Sequence, residues 1–365
     1  MFYTIQNDPK MDQQIDHDLQ AIQERLLSAF EGIEGLVLVG GFGRGEGGLV
    51  LKDGKYRPEN DYDLEMITNQ PVDTEKLLET ERGLAQDLGV SWVHIENRQK
   101  QNLSRLPFTQ YVYDLKYGGR ILYGPEEMLD EIPDMNNANL PLAEGEKLLH
   151  TRLWCFLGAY TTEFEERQPT DEEAVFMASQ MSKAILAICD ANLMLKHDYQ
   201  VQYQNKSSHF LSNIGAKEEL RDLVRWATDY KLRPAATTIP PPLPLYSEVR
   251  EHFLDNLFRF AQAARKTKFQ SWVDYGEKFY GWVSDRPRKD RVKQKLKVLI
   301  GRAGPPTRYN DLVRLKLYMV LAGDVTNQEQ YLEKIQAILR QHSPDENRSD
   351  DWETLRKHTL QLLDI

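Results

Sequence analysis

Two aspartates separated by one residue, Asp61 and Asp63, carry the strongest chemical signal in this 365-residue chain. They lie in DYDLEMIT, Asp61 to Thr68, where acidic and apolar residues alternate. Successive side chains of a strand point to opposite faces, so Asp61, Asp63 and Glu65 share one face and Tyr62, Leu64 and Met66 the other. Carboxylates gathered on one face repel unless a cation lies among them, and hard oxygen ligands suit Mg²⁺ or Mn²⁺. Upstream, Leu36 to Val39 is a short apolar run that reads as a buried strand. Gly40, Gly41, Gly43, Gly45, Gly47 and Gly48 follow it. Such a turn brings backbone close to a ligand, and its N–H groups at a helix start can hold phosphate oxygens. Within GRGEG, Arg44 could pair with a phosphate bidentately, and Glu46 could orient Arg44 or a metal-bound water.

The order strand, Gly-Gly, short helix, loop and Asp-x-Asp on the next strand resembles the nucleotidyltransferase superfamily. That is the DNA-polymerase-β-like group, which includes antibiotic-type and minimal bacterial nucleotidyltransferases. The matching residues are Gly40-Gly41 and Asp61 with Asp63, supported by GRGEG (Gly43 to Gly47), and they fall in the first third of the chain. Leu49 to Tyr56 reads as a small insertion in the loop. The resemblance implies transfer of a nucleoside monophosphate, AMP first, from an NTP such as ATP to a hydroxyl or phosphate acceptor, with release of pyrophosphate. In-line attack on the α-phosphate needs positive charge on both flanking oxygens, which carboxylates on a rigid strand supply by holding metal ions.

A third carboxylate normally completes such a site, and two compete for the place. Asp114, in YVYDLKYGG, falls on an expected strand and is favoured. Glu96 is the alternative, on the strand where minimal members place their third acid, although His94 occupies the better-matched slot. Val175 to Leu195 (VFMASQMSKAILAICDANLML) resembles the helical domain of the antibiotic-type enzymes, where a lysine contacts the triphosphate. By that resemblance Lys183 binds phosphate and Asp190 orients it. Tyr199, Tyr203 and Lys206 either line the same cleft or form an ordinary aromatic surface. A catalytically inactive nucleotide-binding or protein-interaction module on the same fold is the other reading.

The elements that must position these residues follow from periodicity. Ile15, Leu19, Ile22, Leu26 and Phe30 make an amphipathic helix over 12–30, and Leu77, Leu78, Leu84 and Leu88 a second one ending at Gly89. Val90 to Ile95 reads as a strand. Tyr111 to Leu115 and Arg120 to Tyr123 read as a hairpin around Gly118-Gly119. The fold class expected is α+β: a small mixed sheet with flanking helices over 1–125, a linker over 126–145, and an all-α helical bundle over 146–365. TTIPPPLPLY, Thr238 to Tyr246, reads as a semi-rigid connector within 234–246. Arg286 to Arg302 is a strongly basic run that reads as a solvated helix face.

Composition sets the outer limits. Hydrophobic residues make up 41% and charged residues 28%, ordinary for a globular protein with room for two cores. A net charge of -10 argues against a duplex nucleic-acid partner. Cys155 and Cys189 read as buried free thiols. The start MFYTIQNDPK has no signal-peptide pattern, and no apolar run approaches a membrane span, so a cytoplasmic location is expected.

Overall fold

The computed structural model describes residues 2–52, 54–59, 61–278, 307–323, 328–342 and 351–363. The basic run 286–302 lies outside the described residues. The architecture is α+β, with a small mixed sheet in the N-terminal part and a helical C-terminal part. The chain forms two compact units, Met1–Glu144 with Asn192–Thr238, and Gly145–Ala191 with Ile239–Ile365. This differs from a single cut at 126–145, because the chain returns to the first unit for residues 192–238.

The first unit opens with α1 (Pro9–Ala29). Asp8 caps it by accepting the Lys10 N–H at 2.8 Å, with Pro9 in the first turn where a missing N–H costs nothing. Then follow β1 (Ile33–Leu38), the one-turn α2 (Gly40–Gly43), the hairpin β2 (Leu49–Lys52) and β3 (Lys55–Pro58), and β4 (Asp61–Thr68). The expected insertion is thus a separate two-stranded ribbon. Next come α3 (Thr74–Leu88), capped by Asp73 and ended by Gly89 at φ 65, and β5 (Trp92–Gln99). α4 (Gln110–Gly118) and β6 (Arg120–Tyr123) complete the sheet region.

The main sheet has the order β5-β4-β1-β6, with β4 parallel to β5 and β1 antiparallel to both β4 and β6. On one face Leu36, Leu38, Tyr62, Leu64, Met66, Val93 and Ile95 pack against the apolar stripes of α1 and α3. On the other, Val37, Val39 and Ile67 meet Val112 and Leu115 of α4 and the segment Met128 to Ile132. Alternation along β4 puts Asp61, Asp63 and Glu65 on this second face.

The hairpin expected at Tyr111 to Tyr123 is instead a helix followed by a strand. Thr109 accepts the Val112 N–H as an N-cap, and Val112 and Leu115, three apart, both enter the core. Gly118-Gly119 ends that helix, and a Cβ at Gly119 would stand 2.4 Å from the Leu115 carbonyl. Asp114 therefore sits on a helix. The first unit closes with α7 (Tyr203–Asn213) and α8 (Glu218–Leu232), after the helices α5 (Leu142–Ala159) and α6 (Asp171–Leu195).

The second unit adds α9 (Pro242–Arg265), α10 (Trp272–Lys278), α11 (Thr307–Ala322), α12 (Gln328–His342) and α13 (Trp352–Leu362). The Pro-rich stretch is only half a connector, since Pro242 begins α9, where the first turn tolerates proline. Among the described residues one helix, α6, is long and apolar enough to cross a membrane, contrary to the expectation that no run approaches that length. Most of its apolar window is buried inside the fold, as in a core helix. Cys155 and Cys189 are buried free thiols.

Candidate functional site

Asp63 lies at the end of β1 as well as on β4, because its carbonyl accepts the Val39 N–H at 2.9 Å. That pairing brings the glycine turn directly over its side chain. Gly40 has φ 63, and a Cβ there would stand 2.5 Å from Asp63 Oδ2, so only glycine fits on both counts. The turn continues into a folded-back loop in which the Glu46 N–H donates to the Gly41 carbonyl at 2.8 Å.

Burial pushes the Asp63 carboxyl up to about 6, and the neighbouring Asp61 adds to the rise. His94, Lys231 and Arg44 pull the other way. Lys231 comes from α8 and lies 3.6 Å from Glu59, with its side chain 18% exposed. Burial works against the Lys231 charge, but Tyr203, Glu59, Asp61 and Asp63 outweigh it and raise its pKa. The acid pair therefore faces a lysine that no motif announces. In the sequence Lys231 is one polar residue in the last turn of an amphipathic helix, so only the return of 192–238 to the first unit reveals it.

The parallel register of β4 and β5 sets Trp92, His94 and Glu96 beside Asp61, Asp63 and Glu65 in turn. The third-acid slot next to Asp63 thus holds an imidazole. His94 lies 3.8 Å from Glu81 and 3.6 Å from Glu96, and is itself exposed. Glu96 stands one step deeper, beside Glu65. Glu65 is fully buried and its carboxylate is already engaged, 2.8 Å from Arg98 Nε and hydrogen-bonded by the Tyr111 hydroxyl. Burial raises the Glu65 pKa while Arg98 and Tyr111 lower it.

Asp114 belongs to a different group. It accepts from the Tyr199 hydroxyl at 3.1 and 3.0 Å, and the same oxygen receives bonds from Gln110 Nε2 at 2.8 Å and Lys206 Nζ at 3.0 Å. Tyr199 is wholly buried rather than part of an aromatic surface. The charges that act most on Asp63 do not include Asp114. Among the described residues no group of three or more His, Cys, Asp or Glu side chains is arranged to hold a metal ion.

Arg44 and Glu46 are both held inside the unit. Arg44 is only 7% exposed, 4.0 Å from Glu46 and stacked over the Tyr203 ring at 4.9 Å, so it is a strut inside the unit rather than an open phosphate fork. Glu46 lies beside Arg44, the first of the two roles its sequence position left open. It is buried and accepts the Tyr203 and Gln204 N–H groups at 2.7 and 3.0 Å, which caps α7. The loop after the glycine turn is thereby tied to the helix that leads to α8. Lys183 and Asp190 lie on α6 in the second unit, where Lys183 acts on the Cys155 thiol and Asp190 is buried.

What the first unit brings together is Asp61, Asp63, Gly40, His94 and Lys231. Asp61 and Asp63 place two hard oxygen donors on one face of β4, and the Lys231 charge acting on Asp63 offsets part of their mutual repulsion. No family model matches the chain, and a search of curated proteins finds no relative.

Proposed function

We propose that the protein is a metal-dependent nucleotidyltransferase, moving a nucleoside monophosphate, AMP first, from an NTP to a hydroxyl or phosphate acceptor with release of pyrophosphate. The observation that carries this reading is the glycine turn closed on Asp63, with Asp61 on the same face and Lys231 opposite. The motif order strand, Gly-Gly, short helix and Asp-x-Asp, which resembles the nucleotidyltransferase superfamily, supports it from the sequence. Asp61 and Asp63 would hold Mg²⁺, which supplies charge neutralisation on the phosphate oxygens when bound. Lys231 adds a fixed positive charge for the departing pyrophosphate. His94, beside Asp63 on the neighbouring strand, would take the proton of the attacking hydroxyl. Gly40 keeps the turn low enough for a nucleotide to approach the acid pair.

The test is pyrophosphate release from each of the four NTPs with Mg²⁺, then with chelator. Turnover lost in Asp61→Asn and Asp63→Asn, with folding retained, is the expected result. Turnover undiminished in both variants overturns the reading. One specific arrangement favours a second reading, a nucleotide-holding module without turnover: an imidazole beside Asp63 and an Asp114 committed to Tyr199. Mg²⁺-dependent binding of NTP with no pyrophosphate released selects it.

A further inference from the structure

A buried carboxylate of the first unit has no part in the site described so far. Glu81 interrupts the apolar stripe of α3, where it is buried with Leu77, Leu84 and Ala85. Among the described residues no lysine or arginine lies within ion-pair distance of it. Two groups meet it instead. The Ile95 N–H donates to Glu81 Oε1 at 2.6 Å, and His94 Nδ1 lies 3.8 Å from the same oxygen. β5 is an edge strand of the sheet, so an N–H that points outward from it has no strand to bond. Glu81 covers that edge from α3 and meets both the backbone of Ile95 and the side chain of His94.

Covering one N–H does not call for a charge. A glutamine would accept the same bond without burying a carboxylate, which needs a cation or several donors around it. Among the described residues the His94 imidazole is the group at ion-pair distance that can become that cation. His94 is itself flanked by two acids, since Glu96 Oε1 stands 3.6 Å from its Nε2. Their surroundings decide which of the two holds the ring. The Glu96 side chain is 47% exposed and the Glu81 side chain 4%. Water screens the first, and a charge acts several times more strongly at equal distance where water is excluded. Glu81 is also fixed by its bond from Ile95, whereas Glu96 makes no hydrogen bond among the described residues.

We propose that Glu81 is a positioning residue, which holds the His94 imidazole by its Nδ1–H and leaves the lone pair on Nε2. The ring nitrogen that carries the proton is set by the bond the other one makes, and a carboxylate is a common partner for it. A separation of 3.8 Å is long for a hydrogen bond, and such contacts tighten when substrate binds. The proposal rests on the reading of His94 as the group that takes the hydroxyl proton, and it supplies what that role requires. The hydroxyl proton passes to Nε2 and the oxygen bonds the α-phosphorus. Pyrophosphate leaves with the electrons of the broken bond. The imidazolium so formed is offset by the Glu81 carboxylate, which touches no substrate and moves no proton.

The experiment is nitrogen NMR of the imidazoles in the full chain, above the range in which they titrate. The His94 signals are identified by their loss in His94→Gln. An unconstrained imidazole favours the Nε2–H form, so the Nδ1–H form expected of His94 is a departure from the default. Glu81→Gln keeps an acceptor for the Ile95 N–H while removing the charge, and it should shift His94 toward Nε2–H. Glu96→Gln should leave the tautomer as it is. In the pyrophosphate assay Glu81→Gln should lower kcat about 10- to 100-fold with KM for the NTP unchanged. The spectra need no turnover, so an unmodified protein that releases no pyrophosphate refutes the transferase reading while the tautomer still decides the role of Glu81. Circular dichroism checks the fold of each variant, and the spectrum of the unmodified protein stands without them. His94 found as Nε2–H in the unmodified protein, or a tautomer or kcat that Glu81→Gln leaves unmoved, overturns the proposal.

Discussion

Asp63→Asn should make this protein more stable at neutral pH while removing its proposed activity. A carboxyl raised from 3.8 to about 6 is worth about 3 kcal/mol against the ionised fold, at about 1.36 kcal/mol per pH unit. Asp63 is partly accessible and solvent screens part of that, so a gain of about 1–2 kcal/mol is the working figure. The sign follows from proton counts. Between pH 4 and 6 the folded state holds a proton on Asp63 that the unfolded state has lost, so stability rises as pH falls through 6. The cost is fully present above pH 6 and gone below about 4. Urea unfolding of both proteins at pH 7.5 and pH 4 measures this. The asparagine variant should unfold at higher urea at pH 7.5 and match the unmodified protein at pH 4. Added Mg²⁺ should narrow the gap at pH 7.5, since a ligand bound only by the aspartate form stabilises only that form. A variant less stable at pH 7.5, or a gain that persists at pH 4, would refute the claim that Asp63 is held ionised against its surroundings.

Three other changes test separate parts of the structure. Gly40→Ala places a Cβ 2.5 Å from Asp63 Oδ2 at a φ of 63, so it should cost about 1–3 kcal/mol and abolish nucleotide protection in thermal melts. Glu46→Ala leaves two N–H groups at the start of α7 without an acceptor; the cost should be about 1–2 kcal/mol, with faster hydrogen exchange at Tyr203 and Gln204. Lys316→Met should raise stability at pH 7 by about 1–3 kcal/mol, because the folded pKa of about 8 lies below the unfolded value. That penalty is present below pH 8 and lifted as pH rises through about 10.5, so melting curves at pH 7 and pH 10.5 should differ for the unmodified protein and converge with the variant.

The acid strand was readable because alternation is a local property. Asp61, Asp63 and Glu65 share a face for the same reason Tyr62, Leu64 and Met66 enter the core. The helices α1 and α3 were equally plain from apolar spacing and caps. YVYDLKYGG was not, since its alternating aromatics match a strand while Val112 and Leu115 match a helix, and the Thr109 cap with the waiting core decides between them. Glu46 could be read as a partner for Arg44, but not as the cap of α7, because chain order cannot show that α7 would present bare N–H groups to it. Lys231 was invisible for a related reason. Nothing near it in the chain hints at the aspartates, and its electrostatic influence on them depends on where the chain crosses back.

That crossing has a bearing on how the protein can be made and cut. The aspartates emerge from the ribosome within the first segment of their unit, but the lysine that offsets them arrives only after α5 and α6 have been synthesised. Until then the nascent sheet holds two like charges with their partner still missing, together with a Glu46 that has no helix to cap. A fragment ended near residue 145 would stop at the same stage for good.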